Sequence, residues 1–83
     1  MSELLTFELS ADHSQLDIHG NEAGLRKLIR AIETVIHTSS HEHLMTPTWA
    51  GHELSEGPQG EEAEIVNMVT IHIWDSETRT PQD

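Results

Sequence analysis

The chain has 83 residues, enough for one domain and too few for two, and only 35% of them are hydrophobic. Fifteen acids against four bases (Arg26, Lys27, Arg30, Arg79) give a net charge of −11, which argues against nucleic acid and anionic membranes, both bound through Lys and Arg, and suits a basic protein or simple solubility. Cysteine is absent, no basic-then-apolar leader opens the chain and no apolar run reaches about 18 residues, so disulfides and a membrane span are excluded and the cytoplasm is the simplest location.

Leu5, Phe7 and Leu9 alternate with Thr6 and Glu8, and after the turn-forming Ala11–Ser14 stretch Leu16 and Ile18 alternate with Asp17 and His19. Period-two alternation on both sides of a polar turn predicts a β-hairpin with one buried and one wetter face. Gly20 ends the hairpin, Asn21 is suited to capping a helix, and Glu22 complements the first-turn dipole. Leu25, Leu28, Ile29, Ile32 and Ile36 follow at helical spacing opposite Arg26, Lys27, Arg30 and Glu33, which predicts a helix over 21–37. A short strand is expected at His41–Thr46. Residues 46–62 contain two prolines, three glycines and the acids Glu53, Glu56, Glu61 and Glu62, the composition of a long loop, and such a loop is functional or disordered. Ala63–Trp74 is too β-branched for a helix and predicts a strand, with Ile65, Val69, Ile71 and Ile73 mainly on one face. The domain is expected to cover 1–74, with a flexible polar tail at 75–83.

The order ββαββ predicts an α+β fold: a two-layer sandwich, an antiparallel-rich four-stranded sheet with one helix on one face. One helix covers one sheet face, yet Val66, Met68 and Trp74 make the second face of the last strand apolar too. Either the long loop folds over them or another protein does, and we favour a partner or a second copy of the chain. A domain this small buries only about 60% of its unfolded surface, which also points towards a homodimer.

Motifs for chemistry are weak. His41 and His43, two apart on a strand, share a face and with His52 invite a metal reading, but the spacing fits no zinc module, and no metal ligand or cofactor is assigned. Glu61 and Glu62 are sequence neighbours, badly placed for paired acid–base work. Ser39, Ser40 and Ser55 lie in no nucleophile motif, and Gly51, Gly57 and Gly60 form no phosphate loop. The expected mode of action is therefore binding, without catalysis.

Trp49 stands out as a large aromatic among acids, and it reads either as a cap on the core edge or as an anchor for a partner. The stretch His43–Glu56, with Leu44, Pro47, Trp49, Gly51, Glu53, Leu54 and Ser55 in order, followed by a strand ending at Trp74, resembles the immunity protein 32 family. The ββαββ order and the Gly20–Leu28 entry to the helix are similar as well, so the resemblance spans residues 3–74. It implies a small bacterial protein that protects its producer from a polymorphic toxin. A basic toxin domain is then the expected partner, met by Trp49, Glu53, Leu54, Glu56, Glu61 and Glu62.

Overall fold

The computed structural model describes residues 3–74. The tail expected at 75–83 lies outside them. The chain forms the expected hairpin from β1 (Leu5–Leu9) and β2 (Leu16–Gly20), antiparallel in a register from Leu5↔Gly20 to Leu9↔Leu16. Its turn is held by Asp12, whose Oδ1 accepts from the hydroxyls of Ser10 and Ser14 at 2.8 and 2.7 Å. These bonds hold the Asp12 carboxyl below the usual carboxylate range.

The helix α1 (Glu22–Thr38) starts and ends one residue later than predicted. Asn21 is its N-cap: Oδ1 accepts from Gly24 N at 2.8 Å and also from Leu4 N at 3.0 Å, so one amide starts the helix and ties it to β1. Ser39, in the left-handed conformation at φ 53°, closes the other end by donating its N–H to Val35 O at 2.9 Å.

The remaining strands correct the single four-stranded sheet. The structure has a three-stranded sheet in the order β2-β1-β4, with β4 at Glu64–Ile65, and a two-stranded sheet of β3 (His41–Met45) and β5 (Met68–His72). All pairings are antiparallel, so the α+β class stands. The cause lies at Val66-Asn67. Val66 N still donates to Phe7 O at 2.8 Å, whereas Asn67 O accepts from Thr46 N at 3.0 Å and Asn67 Oδ1 from the Thr46 hydroxyl at 2.7 Å. One continuous apolar segment is thus handed from the first sheet to the second, with a polar side chain at the point of transfer.

Leu5, Phe7, Leu44 and Leu54 form the core, packed by Leu28, Ala31, Val66, Val69 and Ile71. The helix turns inward a row that shares only Leu28 with the predicted stripe. Gly24 and Val35 are buried, Leu28 and Ala31 pack on the core, while Leu25, Ile29, Ile32 and Ile36 remain 40%, 51%, 40% and 57% exposed. Gly24 explains the roll: a Cβ there would sit 1.7 Å from Leu4 O, so only glycine lets the helix lie this close to β1.

The wetter face of β1 is also not wet. Thr6 and Glu8 are fully buried, because the chain beyond Ser55 crosses that face: Gln59 N and Gly60 N donate to the Glu8 carboxylate at 2.8 and 3.0 Å. The long loop therefore does cover a sheet face, but it is that of the first sheet.

Candidate functional site

The 46–62 loop is built from its ends inward. Thr46, fully buried, holds Asn67 as described, and a single 3-10 turn, Pro47–Trp49, follows. Proline opens that turn with a pre-set φ, and Ala50 closes it at φ 69°, donating to Pro47 O at 2.9 Å. The chain then doubles back on β3. Gly51 N donates to Thr46 O at 3.0 Å, and a Cβ at Gly51 would lie 2.5 Å from that of Met45, so a side chain has no room there.

Glu53 fastens the return. Its Oε1 accepts from Met45 N at 3.1 Å and from His52 N at 3.3 Å. Burial pushes its carboxyl up, but these backbone donors and the nearby His52 outweigh that and leave it below the ordinary value. Lys27 from α1 donates to Glu53 O at 3.1 Å and pairs with Glu3 at 2.6 Å, a contact that lowers the Glu3 carboxyl. Leu54 drops into the core, 3% exposed, with its N–H on Met45 O at 3.1 Å. Ser55 pairs with Leu5 twice, donating its N–H to Leu5 O at 2.8 Å and accepting from Leu5 N at 3.2 Å. Thr48 donates its hydroxyl to Glu56, and beyond it the Glu8 carboxylate holds Gln59 and Gly60.

The loop is thus stitched to both sheets and the helix, and its order comes from the fold itself. Among the residues singled out in it, Glu53 and Leu54 hold the loop in place, whereas Trp49 (53% exposed), Glu56, Glu61 and Glu62 stand in solvent. The Thr48–Glu56 bond ties the Trp49 turn directly to the start of the acidic stretch. Chemically the arrangement is an aromatic knob with the Glu56 carboxylate tied to its turn, on a preorganised support.

The second group of candidates divides. Val66 packs against the core, while Met68 and Trp74 are exposed near the β3–β5 sheet and its end. His41 and His43 do meet, with ring centroids 4.9 Å apart, but their third neighbour is His72, stacked on His41 at 5.8 Å, and not the loop residue His52. Trp74 stacks beyond His72 at 6.4 Å. Among the described residues no group of three or more His, Asp or Glu side chains is placed to hold a metal ion. The His72 member of the cluster had a sequence signal: it lies two residues before Trp74 on a strand, and antiparallel pairing brings it opposite His41.

No curated protein and no solved structure matches the chain. The model of the family described as immunity protein 32 matches residues 15–68, from the residue before β2 through the helix and the whole stitched loop to the first residue of β5. The matched region thus contains the Trp49 turn together with most of its supports, and the chain belongs to the immunity protein 32 family.

Proposed function

We propose that this immunity protein neutralises a basic toxin domain by covering its surface with the 46–62 loop, acting by binding and without catalysis. One observation carries the reading: along the motif that marks the loop, Leu44, Gly51, Glu53, Leu54 and Ser55 are used by the fold, whereas the Trp49 indole is left in solvent. Exposing an aromatic costs free energy that a partner recovers, and tryptophan is among the residues enriched at the energetic centre of interfaces. Glu56, Glu61 and Glu62 would form the charged rim that steers a cationic surface onto it, with Glu53 and Leu54 keeping the site in shape. The net charge of −11 extends the same field over the whole molecule. Among the described residues no helix is long and apolar enough to cross a membrane, and we place the encounter in the cytoplasm.

The test is to titrate the basic protein encoded beside this one into the purified chain at low salt. A tight complex is expected, and Trp49→Ala should weaken it by about 2 kcal/mol, roughly 30-fold in Kd, with the circular dichroism unchanged. Equal affinity for both forms removes Trp49 as the anchor. No binding by any basic neighbour removes the reading itself.

A further inference from the structure

Among the described residues, six of the exposed large apolar side chains belong to α1 and β2. Leu25, Ile29, Ile32 and Ile36 run along α1, all between 40% and 57% exposed. The row starts beside β2, where the Leu25 Cγ would be 3.0 Å from a Cβ at Gly20. In β2, Leu16 (51% exposed) and Ile18 (47%) lie on the helix side of the sheet, since their cross-strand partners are Leu9 and the core residue Phe7. Leu25 joins this helix row to the strand, and exposed apolar side chains on the two elements amount to roughly several hundred Å², the upper end of what monomers tolerate.

The backbone beside this patch is open as well. Among the described residues β2 is the edge strand of its sheet. Asn21 N donates to Leu4 O and Ser10 N to Gln15 O, so hydrogen-bonded pairs of the hairpin are those in phase with 4:21 and 10:15. Leu5↔Gly20, Phe7↔Ile18 and Leu9↔Leu16 fall between them, which turns the N–H and C=O groups of Leu16, Ile18 and Gly20 outward along the edge.

We propose that this edge and patch are the contact between two copies of the chain, joined antiparallel through β2 about a two-fold axis at Ile18. That axis pairs Ile18 with itself and Leu16 with Gly20 of the partner, so each outward donor and acceptor on one copy meets its complement on the other. On the opposite face it sets Asp17 against the partner's His19, an acid opposite a base in both halves of the interface. The area covered by two such patches is of order 1,000 Å², the lower bound of specific interfaces. The result is a six-stranded sheet. The proposal does not depend on the toxin reading.

The experiment is light scattering of the full chain across micromolar concentrations, in about 0.3 M salt so that repulsion between two acidic copies is screened. The mass should double with concentration. Ile18→Glu, which sets two like charges opposite each other at the axis, should weaken dimerisation at least tenfold while the melting profile of the monomer persists. Leu16→Glu, at a second half-exposed position, should do the same. A wild-type monomer at high micromolar concentration overturns the proposal. So does a dimer that both variants leave intact, which places the contact elsewhere, or a monomer whose Ile18→Glu variant loses toxin binding, which gives the edge to the toxin.

Discussion

Gly24→Ala should destabilise the protein by about 3 kcal/mol or more, against the ordinary trend of helices. At an exposed helical site the same change stabilises by up to about 1 kcal/mol, because alanine has the higher propensity. Here the new Cβ would sit 1.7 Å from Leu4 O and 2.6 Å from its carbonyl carbon, both backbone atoms that cannot swing aside. Relief requires lifting the first turn of α1 off β1. That breaks the Asn21 bridge to Leu4 N and withdraws Leu28 from the core. For a domain of this size, whose total stability is of order 5–10 kcal/mol, the loss is large and the melting temperature should fall by more than about 10 °C. Urea denaturation of the two forms measures it directly, and a neutral or stabilised variant would show that the close approach does not govern the helix position.

The second large effect is expected at Glu8. Its carboxylate is fully buried and accepts from the Thr6 hydroxyl at 2.6 Å, Gln59 N at 2.8 Å and Gly60 N at 3.0 Å. Glu8→Ala leaves the buried Thr6 hydroxyl and two part-buried backbone N–H donors without their acceptor, each costing about 1–3 kcal/mol unless water reaches it, so a loss of about 3 kcal/mol is expected. The 57–62 segment should then detach from the sheet, read as faster proteolytic cleavage there. The same carboxylate sets a pH dependence. Burial pushes it up, but the bonds from Thr6, Gln59 and Gly60, with the nearby His19, overcome that and leave it below the ordinary 4.5. A folded value below the unfolded one means its contribution is complete above pH 4.5 and is lost as pH falls through the folded value. Glu53, lowered in the same way, adds to the effect. Stability should therefore drop on acidification below that point. Glu8→Gln should flatten the drop, and a profile unchanged by it would assign the acid sensitivity to other groups.

Both effects arise where sequence patterns stop being informative. The hairpin, the Asn21 cap and the helix follow from alternation, side-chain geometry and spacing, all local properties. The helix carries two parallel rows, Gly24-Leu28-Ala31-Val35 and Leu25-Ile29-Ile32-Ile36, displaced by one residue. The more hydrophobic row looks like the buried one, yet the close contact at Gly24 turns the other inward. The glycine four residues before Leu28 was the legible hint. Alternation likewise places Glu8 on the outer face of β1 correctly, but that the face is closed by a loop some fifty residues away is a tertiary fact. The break between β4 and β5 had a signal in Asn67, a residue disfavoured inside strands. What the sequence left open at the site was the exposure of Trp49. Cap and anchor have the same letters, and the 53% exposure of the side chain is set by the folded loop beneath it.

The most direct test of the account is the salt dependence of toxin binding by the wild-type chain and by a Glu56→Gln, Glu61→Gln, Glu62→Gln variant. If the loop masks a basic surface, Kd rises steeply with salt for the wild type. The variant then binds more weakly at low salt, with a shallower slope. Equal affinities and slopes for the two proteins would contradict it and move the toxin contact to another face.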